Sequence, residues 1–127
     1  MRTRMAVVLA LGVGIGTGAG LVEGLHAQAK PPGYYIAEVT VTNQDAYAKE
    51  YLPKAQALIK ATGGRYLAVG SPIPVEGSAP PPRVAIVAWD NMDALWAWRN
   101  SDTYNQNRKI GDQYATFRAF AIEGVAP

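Results

Sequence analysis

Apolar positions between residues 34 and 123 follow the same rhythm twice: a strand-like run, a spacing of three and four, then another strand-like run. Tyr34 to Val41 is rich in Tyr, Ile, Val and Thr and alternates. This predicts a strand with Tyr35, Ala37, Val39 and Val41 on its more apolar face and Tyr34, Ile36, Glu38 and Thr40 on the other. Thr42-Asn43-Gln44-Asp45 fits a capping box, with the Thr42 hydroxyl as cap and Asp45 reaching back. Tyr47, Tyr51, Ala55, Leu58 and Ile59 then recur at helical steps. Pro53 lies inside that pattern, and its missing N–H predicts a kink or two abutting helical segments. Gly63-Gly64 ends the helix, one of them left-handed, and Arg65 to Gly70 forms the second strand.

Ser71 to Pro82 holds five prolines and Gly77, which fits a long, exposed hairpin loop and neither a central strand nor a regular helix. Arg83 to Trp89 is almost continuously apolar, as in a strand covered on both faces. Asp90 with Asp93 repeats the capping pattern ahead of a helix whose apolar side is Ala94, Leu95 and Trp98, with Trp96 beside it. Ser101 can cap a further helical stretch from Asp102 toward Gly111, and Thr116 to Glu123 reads as the fourth strand.

The order β-α-β, loop, β-α-β predicts an α+β, ferredoxin-like βαββαβ domain. Helices on one side leave the other face of the sheet uncovered, a face expected to carry Ile36, Leu67, Val87 and aromatic residues. An apolar face of that size marks an interaction surface, and pairing with a second copy through a two-fold axis is the simplest way to cover it.

The first thirty residues follow a different pattern. Arg2 and Arg4 precede an uncharged stretch from Met5 to Val22, and Ala27-Gln28-Ala29 places small residues at −3 and −1 of a cleavage site. We read residues 1–29 as a secretory signal peptide cleaved after Ala29, and residues 30–127 as the exported domain, periplasmic or secreted. The uncharged stretch is just long enough to span a bilayer, but its Gly-, Ala- and Thr-rich second half inserts weakly, so no stable membrane anchor is expected after cleavage.

Composition removes several kinds of chemistry. The chain has no cysteine, and its one histidine, His26, falls in the export segment. A mature domain without either excludes thiolate nucleophiles, Ser-His-Asp triads and His- or Cys-ligated metals; no metal and no cofactor are expected. Setting aside Arg2, Arg4 and Glu23 from the 12 basic and 10 acidic residues leaves residues 30–127 at about +1. With no basic stripe, nucleic acid is not an expected partner.

The matching residues Tyr35-x-Ala37-x-Val39, Asp45-x-Tyr47-x-x-x-Tyr51, Gly63-Gly64-Arg65-Tyr66-Leu67-Ala68-x-Gly70, Glu76-Gly77, Pro82-Arg83-Val84, Trp98-x-x-Ser101-x-x-Tyr104 and Ile122-Glu123-Gly124 resemble those of the domain-of-unknown-function 1330 family. The resemblance spans residues 33–124. It implies a dimeric α/β barrel, in which two ferredoxin-like sheets pack face to face, and carries no mechanism with it. Two positions depart from the family pattern: Gly111 stands where an arginine is usual, and Ala88-Trp89 where Glu-Phe is usual.

In such a barrel the natural cavity is the sheet face opposite the helices. Strand alternation puts Glu38 there, and Arg65 and Arg83 are expected beside it on neighbouring strands; a carboxylate among guanidinium groups can hold a small acid or orient a proton acceptor. The alternative is an ion-pair network that satisfies only itself. Trp89, Trp96, Trp98 and Tyr104 form an aromatic group that serves either as core or as a stacking surface. The candidate ligand-binding residues are therefore Glu38, Arg65, Arg83, Trp98 and Tyr104. Three functions fit: a homodimeric binder of a small molecule without cofactor; a cofactor-free monooxygenase- or isomerase-like enzyme acting on a small aromatic or lactone substrate; and a structural or interaction domain using the Pro-rich loop.

Overall fold

Strand β1 (Gly33–Val41) runs through the middle of a four-stranded antiparallel sheet. The computed structural model describes residues 30–127, so the export segment read over residues 1–29 lies outside the described residues. Residues 31–126 fold as one unit. The other strands are β2 (Arg65–Gly70), β3 (Arg83–Trp89) and β4 (Ala115–Glu123), and the sheet order is β2-β3-β1-β4. This is the ferredoxin-like arrangement expected from the order of elements.

The first helical stretch is built around its proline. A three-residue α1 (Gln44–Ala46) leads into a π-helical turn (Tyr47–Tyr51), and α2 (Leu52–Ala61) follows. The Leu52 N–H reaches back five residues to the Tyr47 carbonyl. That widened turn starts a new α-helix at Leu52, so Pro53 falls in its first turn, where a missing N–H costs little. The cap is Asn43 and not Thr42: Asn43 Oδ1 accepts from the Ala46 N–H at 3.1 Å. The Thr42 N–H is instead bonded to the Tyr114 carbonyl at 2.7 Å.

The same one-residue correction applies to α3 (Met92–Arg99), where Asn91 Oδ1, not Asp90, accepts from the Ala94 N–H at 2.8 Å. Asn is among the best capping residues, and in both places it lies one position nearer the helix. Ser101 does cap α4 (Asp102–Gly111), accepting from the Tyr104 N–H at 3.1 Å.

Helix α2 ends in a Schellman motif. Gly63 is left-handed (φ 90°), its N–H meets the Lys60 carbonyl at 3.1 Å, and the Gly64 N–H meets that of Ile59 at 2.8 Å. Gly64 then passes so close to Trp89 that a Cβ would lie 2.6 Å from the indole. Trp89 is fully buried and donates from Nε1 to Thr62 Oγ1 at 3.2 Å.

Pairing of β1 with β3 sets Tyr35 opposite Val87, Ala37 opposite Ala85 and Val39 opposite Arg83. Those residues face the helices. Val87 is thus a core residue, 2% exposed, and not part of the uncovered face. The open face carries Tyr34, Ile36 and Glu38 of β1, with Ile86 and Phe120 flanking Ile36. On the helix side the core has two centres. Trp89, Leu95 and Trp98 form one with Tyr35 and Tyr104; Val39, Tyr47, Tyr51 and Ala115 form the other. Trp98 stacks 4.5 Å from Trp89 and meets Tyr35 and Tyr104 edge-on at 4.8 Å each. Trp96 points outward, 45% exposed, and leaves that aromatic group.

Candidate functional site

The two core centres do not close on one another. Between the sheet and the layer made by the π turn, α2 and α4 lies a chamber of about 220 Å³. Its floor is Ala37, Ala85 and Ala119, three small side chains side by side on neighbouring strands. Its walls are aromatic: Tyr35, Tyr47, Tyr51, Trp98, Tyr104 and Phe117. Small residues opposite rings leave space that longer aliphatics would have filled.

Two local irregularities shape this chamber. The π turn sets Tyr47 and Tyr51 into it together, their rings 5.3 Å apart, with Tyr51 5.7 Å from Phe117. A bulge at Leu67 shifts the pairing of β2 with β3, so Tyr66 lies opposite Val87 and Val69 opposite Ala85. Both therefore face the chamber although they stand three residues apart, an odd spacing that an unbroken strand forbids. Tyr66, Val69 and Gln56 are solvent-exposed lining residues and mark the open side.

Among the described residues, Arg83 is the only charged one in the lining. Its side chain makes no hydrogen bond or ion pair among the described residues. It does act on the phenols around it: burial raises the pKa of Tyr47 and of Tyr66, and the Arg83 charge opposes both rises. Burial pushes the Tyr35 phenol up to about 12; the neighbouring Tyr104 hydroxyl adds to this, and Arg99 opposes it. The Tyr51 phenol is raised by burial first and by Tyr104 and Tyr47 next, against Arg108. At neutral pH these four hydroxyls are hydrogen-bond donors and not bases. Among the described residues, no Asp, Glu or His is in the lining.

The expected meeting of Glu38, Arg65 and Arg83 on the open face is corrected here. Glu38 does face away from the helices, where Arg118 Nη1 donates to its Oε1 at 2.8 Å. Arg65 stands on the edge strand and pairs with Asp90 at 3.5 Å, both side chains more than half exposed. Arg83 lies on the opposite side of the sheet from Glu38, because the register sets Glu38 against Val84 and moves Arg83 by one position. A one-residue offset changes the face. Trp98 and Tyr104 line the chamber, so three of the five candidates, Arg83, Trp98 and Tyr104, are brought together there. Tyr47, Tyr51 and Tyr66 were missed as lining residues. The helical spacing of Tyr47 and Tyr51 was visible, but it reads equally well as core.

Gly111 is buried with its Cα turned to Tyr51; a Cβ there would lie 2.7 Å from that ring. Arg108, one turn earlier, reaches the same region, with its guanidinium 4.1 Å from the Phe117 ring and Nη1 donating to the Tyr104 hydroxyl at 3.2 Å.

Residues 32–125 match the domain of unknown function DUF1330. The chain belongs to the DUF1330 family. This DUF1330 domain is similar in fold to several solved structures. A protein of unknown function from Rhodopseudomonas palustris aligns with TM-score 0.63 at 15% identity, over 85% of this chain and 94% of that one. SnoaB, a cofactor-independent oxygenase from Streptomyces nogalater, aligns with TM-score 0.55 at 12% identity, over 76% and 96%. A putative antibiotic biosynthesis monooxygenase from Caulobacter crescentus aligns with TM-score 0.52 at 15% identity, over 76% and 92%. At such identities the likeness is one of fold: a ferredoxin-like sheet and helix layer of the dimeric α/β-barrel class. No curated protein matches the sequence.

Proposed function

We propose that this DUF1330 domain binds a small, planar, mainly apolar molecule on the helix side of its sheet, with an anionic or strongly accepting group set against Arg83. The observation that carries this reading is one unpaired guanidinium in the wall of an otherwise uncharged aromatic chamber. The size fits a small ring system: an apolar cavity of about 150 Å³ takes up benzene, and this one is about 220 Å³. A charge-assisted hydrogen bond contributes about 1.5–3 kcal/mol, so the Arg83 contact is worth tenfold or more in affinity. In a titration of the purified protein with benzoate, naphthoate and their neutral amides, the acids bind more tightly. Read at the chamber floor, from the amide shifts of Ala37, Ala85 and Ala119, Arg83→Gln removes that preference and leaves the neutral compounds unchanged. Acids and amides of equal affinity, or no binding by either, would sink the proposal.

A second reading, a cofactor-free enzyme of monooxygenase or isomerase type, draws on the fold shared with SnoaB. Protonated Tyr35 and Tyr51 can donate to a negative charge developing on a substrate. A general base is the missing part, since among the described residues the lining holds no carboxylate or imidazole. Binding therefore stands first. Turnover of an aromatic substrate that Tyr51→Phe lowers without loss of affinity would reverse that order.

Two further parts of the proposal concern assembly and location. The open face carries Ile36, Ile86 and the exposed Phe120 and Ile122, which supports pairing of two copies sheet to sheet. The basic, then uncharged, then small-residue pattern of residues 1–29 supports export and cleavage after Ala29. An intact mass of protein recovered from the periplasm or medium tests the second: a chain still beginning at Met1 refutes it.

A further inference from the structure

A groove of about 490 Å³ lies outside the chamber, along the β4 edge where α3 meets α4. We propose that it is a second binding site, for a carboxylate or phosphate group carried on an apolar ring. The proposal does not depend on the chamber being occupied, since Arg83 takes no part in it.

The argument starts from charge. Two guanidinium groups converge on one tyrosine: Arg99 lies 4.3 Å from the centre of the Tyr104 ring, and Arg108 donates to the Tyr104 hydroxyl at 3.2 Å. Arg99 Nε also donates to the Tyr35 hydroxyl at 3.3 Å. Among the described residues one carboxylate answers the two cations, Asp112 at 2.8 Å from Arg108 Nε. Arg99 has no ion-pair partner among the described residues, and no acidic side chain lines the groove. Like charges held side by side with a single counter-charge raise the local potential and favour an anion.

Geometry makes the anion specific. Contacts with Tyr104 and Tyr35 fix the plane and direction of the Arg99 guanidinium while leaving its two terminal nitrogens uncommitted. A pre-positioned fork of this kind suits the two oxygens of a carboxylate or phosphate. Asn100 adds an amide donor in the lining. Trp96 flanks the groove with a large face, 45% exposed, offering an apolar surface for a ring attached to the anion.

The test is an amide-resolved NMR titration of the full chain with phenyl phosphate, benzoate, inorganic phosphate and benzyl alcohol. Phenyl phosphate or benzoate is expected to saturate a site whose shifts centre on Trp96, Arg99, Asn100 and Phe120, and whichever binds more tightly identifies the head group. Arg99→Gln weakens that binding tenfold or more, and Arg83→Gln leaves it unchanged. Trp96→Ala, at an exposed position outside the core, weakens the ring-bearing anions and not inorganic phosphate; it keeps the proposal testable should the Arg99 variant fold poorly. Binding of both ring-bearing anions no tighter than inorganic phosphate, shifts confined to the inner chamber, undiminished affinity in Arg99→Gln, or no saturable binding would each overturn it.

Discussion

Gly63 and Gly64 are neighbours with different reasons for being glycine, and alanine at each position exposes the difference. At Gly63 the backbone is left-handed (φ 90°) and nothing lies within 4 Å of a built Cβ. Alanine there meets only the backbone penalty, about 1–2 kcal/mol. At Gly64 the backbone is ordinary, but the Cβ would sit 2.6 Å from Trp89 Cε2 and 2.7 Å from Cζ2. That is short of carbon–carbon contact by roughly 0.8 Å or more. The indole cannot easily retreat, being fully buried, hydrogen-bonded to Thr62 and stacked on Trp98. Overpacking of this kind costs about 1–3 kcal/mol, and the stiffer unfolded chain returns about 0.4–1 kcal/mol. That return applies at both positions, so Gly63→Ala should lose about 0–1.5 kcal/mol and Gly64→Ala about 0–2.5 kcal/mol, near 4–8 °C in Tm per kcal/mol for a domain of this size. Their totals cannot tell them apart, but a coupled background can. Trp89→Phe takes away the outer part of the ring that a Gly64 Cβ would strike, leaving the Ile59 Cγ2 contact at 2.9 Å, so Gly64→Ala should cost about 1 kcal/mol less there, while Gly63→Ala should remain additive to within about 0.5 kcal/mol. Urea denaturation of the six proteins measures this. Equal costs for Gly64→Ala in the two backgrounds would refute the steric account.

Other expectations follow from the same structure. Asn91→Ala should destabilise by about 1 kcal/mol and Asn43→Ala by somewhat less, whereas Thr42→Ala and Asp90→Ala should be close to neutral; a larger loss at Thr42 or Asp90 in thermal melts would contradict the assigned caps. Stability should hold up to about pH 10, the ordinary phenol value, and fall as pH rises toward about 12, because the folded Tyr35 phenol is raised to about 12 and the unfolded chain loses its proton first. The loss from Tyr35 alone is about 2–3 kcal/mol, with Tyr51 adding to it; urea midpoints unchanged through this range, with tyrosinate absorbance appearing in folded protein, would show that burial does not hold the protons. Ile86→Glu places a charge at the centre of the open face; on the proposed sheet-to-sheet pairing, sedimentation should find the parent a dimer and this variant a monomer. A parent already monomeric at micromolar concentration refutes the pairing.

The elements were legible because their signals are local. Strand bounds at Arg65–Gly70 and Arg83–Trp89 follow from composition between glycine and proline breaks, and the interrupted helix follows from Pro53. Faces within one strand were legible too, since Tyr35, Ala37 and Val39 do turn to the helices. Faces between strands were not. Whether Arg83 shares a side with Glu38 depends on where β3 comes to rest beside β1 after a twelve-residue, proline-rich connection, and composition holds no record of that offset. The chamber was hidden for a related reason. It needs Tyr66 and Val69 on one side of β2, which alternation denies, and it needs a widened turn to aim Tyr47 and Tyr51, which Pro53 hints at but does not specify.

The Leu67 bulge has a further consequence, outside the chamber. β2 is an edge of the sheet, and its exposed Tyr66, Leu67 and Val69 would make a sticky border for another chain to extend. Extension by a neighbouring chain needs an unbroken row of N–H and C=O groups at regular intervals, and the extra residue interrupts that row midway. Deleting Leu67 would straighten the edge and turn it into a template for intermolecular pairing. The irregularity that aims two side chains inward also guards the protein against polymerising along its own border.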